Sequence, residues 1–292
     1  MRLLSRLGAL SLASVALVAG AIAAPAAAAP TATVNAVSAS AAATRSGLTL
    51  AAPLAYVALG DSFTSGQGAP PYSDASCLRS KYKSYPVISS VLSPYRLTAN
   101  KACSGATVSD VAAQLAGVSD GTKLVTLTVG GIDAGSNAVL AACADSPITP
   151  DLDCLTELGQ STSRLTTLAT QLPALYAGIA NALPNARIAV LNYPLLFKPG
   201  VSPLGELVNQ GTIALNGVIQ GSVGAVVAAG IDRVRYVDAT QEFAGHGIGS
   251  SVPYIAFNPA DLASPANFHP NTLGNTFGYY RALVNDGILR RP

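Results

Sequence analysis

The sequence predicts an α/β fold with a parallel, doubly wound sheet covered by helices on both faces. Three observations lead there. Five short apolar runs alternate with helical patterns, as in right-handed strand–helix–strand units. The runs are continuous rather than alternating, which is the pattern of strands buried on both faces. The first and third stop at glycines, Gly60 and Gly130, as strands do where the chain turns at a sheet edge.

Taken in order, the chain opens with Arg2 and Arg6, an apolar stretch from Leu7 to Ala23 and small residues from Ala26 to Ala29. That is the pattern of a signal peptide spanning residues 1–29. Residues 30–50, Ala/Ser/Thr-rich with Arg45 as their one charge, read as a flexible leader, which leaves residues 51–292 as the folded domain. About 240 residues suit one α/β domain with a sizeable core. The strands are expected at Tyr56–Leu59, Tyr95–Ala99, Lys123–Val129, Arg187–Asn192 and Arg233–Val237. Helices are expected at Tyr82–Leu92, Thr107–Ala116, Asn137–Cys143, Leu155–Leu183, Leu204–Ala229 and from about Thr272 to Asn285. Ligands of such sheets bind beyond the carboxyl ends of the strands, where the loops collect.

Composition narrows the partners. Without Arg2 and Arg6 the 17 basic residues become 15, matching the 15 acidic ones, and no large basic cluster exists, so nucleic acid is a poor partner. The N-terminal apolar stretch is short and runs into Ala/Pro-rich sequence, which argues against stable membrane insertion. A monomer acting on a small-molecule or lipid substrate is expected. Four cysteines in an exported chain read as two disulfides, most economically Cys77 with Cys103 and Cys143 with Cys154. Their spacing matches no zinc ribbon and neither histidine is near a cysteine in sequence, so no metal is expected.

The chemistry starts at Gly60-Asp61-Ser62, where a strand ends in glycine and lifts a serine off the sheet beside backbone N–H groups. Acyl transfer needs that arrangement. Its base must be His246 or His269. His246, flanked by Gly245 and Gly247, suits a substrate-contact loop. His269 lies in Asn267-Phe268-His269-Pro270-Asn271, with Phe268 to pack it, Pro270 to hold its backbone and Thr272 to cap the last helix. Gly105, in Cys103-Ser104-Gly105-Ala106-Thr107, can present its N–H where a side chain would obstruct. Asp61 and Asp133 read as turn residues that tie down backbone N–H groups. Glu157, Glu206 and Glu242 are scattered, which disfavours a two-carboxylate glycosidase.

In order, Gly60-Asp61-Ser62, Cys103–Thr107, Gly130-Gly131-Ile132-Asp133 and His269-Pro270-Asn271 with Gly274 resemble the blocks of the GDSL, or SGNH, hydrolases, in particular their secreted actinobacterial lipase/esterase branch. The resemblance covers Tyr56 to about Ala282. It implies a flavodoxin-like three-layer α/β/α sandwich and a cofactor-free serine esterase. It further implies Ser62 as nucleophile, His269 as base, and the N–H groups of Ser62 and Gly105 as oxyanion donors. Two positions depart from the family pattern. Ile132 stands where an asparagine amide usually donates to the oxyanion, a loss of the kind that costs about 10²–10³ in turnover. Ala266 stands where an acid usually orients the base, so a backbone carbonyl of Ser264–Ala266, Ala266 foremost, is expected to take over, with Asp261 a lesser substitute. Asn137 could supply the missing amide. The same departures would suit an extracellular binding protein that has lost activity. A carbohydrate O-deacetylase and a phospholipase also share the blocks.

Overall fold

In chain order the first elements are β1 (Leu54–Gly60), α1 (Ser62–Ser65), β2 (Tyr72–Asp74), β3 (Arg79–Ser80), α2 (Tyr85–Leu92), β4 (Tyr95–Asn100), α3 (Val108–Ala113) and β5 (Leu124–Thr128). There follow α4 (Ser136–Ala142), α5 (Leu152–Ala182), β6 (Arg187–Leu191), α6 (Pro203–Ala228), β7 (Val234–Val237) and α7 (Thr240–Phe243). The chain closes on a π-helical segment, Gly274–Tyr280, running into α8 (Arg281–Asn285). This computed structural model describes residues 51–143 and 149–292, so the signal peptide and leader read from residues 1–50 lie outside the described residues.

Five strands pair in parallel in the order β4-β1-β5-β6-β7. Without the small β2–β3 hairpin this is the flavodoxin-like order 2-1-3-4-5, whose direction reverses between β1 and β5. Each strand serves two cores because its side chains alternate. Val57 and Leu59 of β1, with Val125 and Leu127 of β5, face Leu168, Leu172 and Ile179 of α5 and Leu215, Ile219 and Val223 of α6. Tyr56 and Ala58 face the other way, toward Tyr85 of α2, Phe243 of α7 and Tyr279, Ala282 and Leu283 of the closing helix. The architecture is therefore the expected three-layer α/β/α sandwich. Helix α6 has the length and apolarity of a membrane span, yet the stripe carrying Leu215, Ile219, Val223 and Val226 is spent on the sheet.

The expected strands and long helices are present, with shorter or shifted ends. Asp151 caps α5 by accepting from Cys154 N–H, so the helix begins at Leu152 rather than Leu155. Helix α2 begins only at Tyr85, with Pro86 in its first turn. The last helix is capped by Asn271, whose Oδ1 accepts from the N–H groups of Leu273 and Gly274 at 2.8 and 3.1 Å; Thr272 is not the cap. Both expected disulfides form, Cys77–Cys103 and Cys143–Cys154. The first joins the loop after the hairpin's first strand to the loop after β4, and the second fastens α4 to α5. On the chain-entropy relation, loops of 26 and 11 residues stabilise by about 3.5 and about 2.8 kcal/mol.

Candidate active site

The strand order brings the loops after β1, β4 and β5 to the reversal point, where a parallel sheet leaves a crevice. Ser62 is the first residue of α1, two residues beyond the strand. Gly60 makes the turn with φ 123°, and a Cβ there would lie 2.4 Å from the Thr128 carbonyl oxygen, so the two strand ends approach as only glycine permits. The turn is held by Asp61. Its Oδ1 accepts from Phe63 N–H at 3.0 Å and from the Thr128 hydroxyl at 2.6 Å, and its Oδ2 accepts from the Tyr193 hydroxyl. Burial pushes the Asp61 carboxyl up from its ordinary value, and those three donors pull it back.

The histidine expected from the sequence is in reach. His269 Nε2 lies 2.8 Å from Ser62 Oγ, across 207 residues of chain. Its Nδ1 lies 2.7 Å from the Asn267 carbonyl oxygen. A carbonyl only accepts, so Nδ1 carries the proton and Nε2 is left bare toward the serine hydroxyl. The orienting carbonyl is thus that of Asn267 and not of Ala266. Ala266 O instead takes the backbone N–H of His269 at 3.3 Å, because Phe268, at φ 62°, turns the chain left-handed between them. The Asp261 carboxylate does not substitute either; what Asp261 contributes is its carbonyl, which accepts from Asn267 Nδ2 at 2.8 Å. The ring packed on the imidazole is Phe63, at 5.1 Å between centroids, whereas Phe268 packs on Phe257 and Phe197. Burial drives the His269 pKa down to about 4, with the hydrogen bond to Asn267 opposing.

Gly105 adopts φ 80°, in a loop tied down by Ser104 N–H to the Cys77 carbonyl at 3.1 Å. The backbone N–H groups of Ser62 and Gly105 donate to no protein atom among the described residues. Ser62, Gly105, Ile132, Asn137 and His269 all line one cleft of about 480 Å³. The neighbouring Gly131 N–H is already engaged, donating to the Tyr193 hydroxyl at 3.1 Å. Asp133 accepts from Val108 N–H at 3.1 Å and so holds α3, as a turn residue should. His246 is not among the cleft residues. It stacks on Tyr254 at 3.8 Å with Nδ1 2.8 Å from the Val252 carbonyl oxygen, which fixes a loop elsewhere.

Two residues of the site escaped the sequence reading. Gln67 links three of its loops: Nε2 donates to the Pro265 carbonyl at 2.6 Å and Oε1 accepts from the Ser104 hydroxyl at 2.5 Å. Tyr193 joins the turn after β1 to the turn after β5 through one hydroxyl. Neither belongs to a recognisable motif, and the only signal was the placement of Tyr193 just beyond a strand.

A parallel sheet in this order opens a largely apolar cleft at its carboxyl edge, and similarity to known lipases makes the chain a carboxylic ester hydrolase of the lipase and esterase kind. The chain belongs to the GDSL-like lipase/acylhydrolase family, whose model matches residues 58–277. It is 35% identical over 234 residues to a lipase of Streptomyces rimosus, covering 78% of this chain and 85% of that one. Among solved structures, it resembles the extracellular lipase of Streptomyces rimosus with a TM-score of 0.70 at 32% identity, covering 80% of this chain and 99% of the other. Phospholipase A1 from Streptomyces albidoflavus NA297 is similar with a TM-score of 0.69 at 30% identity, again over 80% and 99%.

Tyr193→Phe removes one of the three donors to a buried carboxylate and strands the Gly131 N–H. A loss of about 1–3 kcal/mol in unfolding free energy is expected, measurable by urea denaturation with the m-value unchanged.

Proposed function

We propose that this protein is an exported serine esterase that hydrolyses carboxylic esters of small molecules or lipids, with Ser62 as nucleophile and His269 as base. The observation that supports this most directly is the 2.8 Å approach of His269 Nε2 to Ser62 Oγ, with the proton of the imidazole committed to the Asn267 carbonyl on the other side. The apolar stretch at residues 7–23 and the two disulfides support export.

The reaction runs in two halves. Ser62 Oγ bonds to the ester carbonyl carbon while its proton passes to His269 Nε2, and the carbonyl oxygen becomes an oxyanion facing the N–H groups of Ser62 and Gly105. The tetrahedral adduct collapses by breaking the bond to the alcohol oxygen, which takes the proton from Nε2 and leaves. Water then attacks the acyl-serine, gives a proton to Nε2, and the second adduct expels Ser62 Oγ, which recovers that proton as the acid departs. The imidazolium formed on the way is stabilised by the Asn267 carbonyl dipole in place of a carboxylate. Ile132 presents hydrocarbon to the cleft and the Gly131 N–H is engaged with Tyr193, which leaves the two backbone donors and, from the cleft lining, the Asn137 amide.

Three outcomes are expected. Ser62→Ala folds as the parent does but loses p-nitrophenyl butanoate hydrolysis and fluorophosphonate labelling; retention of either would remove Ser62 from the mechanism. His269 acts as a base only when neutral, and the neutral fraction falls as pH drops through about 4. The kcat/KM profile should therefore be flat from pH 7 down to about 5 and fall below that, where an ordinary imidazole would give a limb near 6.5. Ile132→Asn should hold or raise kcat; a large loss would assign Ile132 a packing duty instead.

A further inference from the structure

Helices α5 and α6 are longer than the sheet they cover. At 1.5 Å per residue, the 31 residues of α5 span about 46 Å, whereas the five residues of β5 or β6 span about 17 Å. The side chains of α5 that bury against the sheet begin at Leu168, and those of α6 at Leu215. Leu168 and Leu215 are also the atoms nearest a Cβ built on Gly130, just beyond the end of β5, at 3.8 and 3.6 Å. The N-terminal halves of both helices therefore rise past the carboxyl edge, side by side, beyond the turn that carries Ile132.

Between them runs the outer part of the cleft. Its wall on α5 is Leu155, Leu158, Gly159, Thr162 and Leu165, and its wall on α6 is Leu207, Val208, Gly211, Thr212 and Leu215. Each set is one face of a helix at a spacing of three and four residues. Ser161 of α5 and Gln210 and Ala214 of α6 complete the lining of the two walls. Both threonines fold their hydroxyls back onto their own helix, Thr162 to the Leu158 carbonyl at 3.1 Å and Thr212 to the Val208 carbonyl at 3.0 Å. No Asp, Glu, Lys or Arg lines the cleft among the described residues. At the far end Val139, Leu158, Leu204 and Val208 gather around Cys143–Cys154, which pins α4 to α5.

Gly159 and Gly211 stand midway along these walls. Glycine inside a helix is unfavourable, by roughly 1 kcal/mol against alanine. Packing does not require it here, since a Cβ built at either position meets no atom within 4 Å. What the missing side chains leave is open length in a groove continuous with Ser62 and His269. We propose that Gly159 and Gly211 determine specificity by keeping this groove open for a long, unbranched, uncharged acyl chain, so that the preferred substrates are long-chain acyl esters. The inference rests on the esterase reading of Ser62 and His269. In it the ester carbonyl sits at Ser62, the chain passes Ile132 and lies between α5 and α6, and the alcohol leaves on the solvent side.

The test compares p-nitrophenyl butanoate with p-nitrophenyl hexadecanoate for the parent, Gly159→Leu and Gly211→Leu. Each buried methylene is worth about fourfold in binding, so a leucine that displaces three of them should lower the long-to-short ratio of kcat/KM by about 50-fold. Gly159→Ala and Gly211→Ala, which improve the helix, should lower it by about fourfold while Tm rises. Displacement of cis-parinaric acid by hexadecanoate, followed in the Ser62→Ala background, gives the same comparison without turnover and should show the same losses. A ratio and an affinity within twofold of the parent in folded leucine variants would overturn the proposal. A parent that hydrolyses neither ester would instead overturn the esterase reading, and the fatty-acid displacement would still decide whether the groove holds a chain.

Discussion

One buried carboxylate holds the carboxyl edge of the sheet together. Asp61 follows β1, and its donors come from Thr128 at the end of β5, from Tyr193 just beyond β6 and from the first turn of α1. An unpaired charge at that depth would cost several kcal/mol. The three strand ends must therefore keep their register for the carboxylate to remain satisfied. Ser62 is the next residue, so the position of its hydroxyl is set by the same bonds that fix the strand ends. The Tyr193 hydroxyl extends the constraint to Gly131, whose N–H it accepts, and Asn216 of α6 clamps the Tyr193 backbone at both N–H and carbonyl, at 3.0 and 2.7 Å.

The imidazole is held on different terms. Among the described residues no acid lies behind it, and its orientation depends on a loop made rigid by bonds between side chains and backbone. Asn267 accepts from Asn258 N–H and donates to the Asp261 carbonyl, Gln67 reaches the Pro265 carbonyl, and Gly68 packs so close that a Cβ there would lie 2.6 Å from the His269 carbonyl oxygen. A carbonyl fixes the tautomer as well as a carboxylate does, but brings a dipole where the acid would bring a full charge.

The five strands and their parallel, doubly covered sheet were legible from sequence because burial on both faces forces continuous apolar runs, and glycines mark where two of them end. The meeting of Ser62, Gly105 and His269 at one cleft was legible because each sits beside residues with a local geometric purpose. The β2–β3 hairpin was not. Its strands are short and polar, and it is held by Cys77–Cys103 and by Ser80 reaching the Ala69 carbonyl rather than by a hydrophobic pattern. The exchange of Ala266 for Asn267 turned on one left-handed residue, Phe268, in a conformation that bulky side chains rarely adopt. Gln67 gave no sign because its partners lie 37 and 198 residues away, and a lone glutamine carries no period.

The Ser62–His269 pair rests without formal charge, and the group behind the imidazole is a peptide dipole. Mobile ions screen charges over about 10 Å at 0.1 M but have little hold on a short, partly buried contact between neutral groups. The contact between the two groups is therefore set by local geometry more than by the ionic strength of the surroundings.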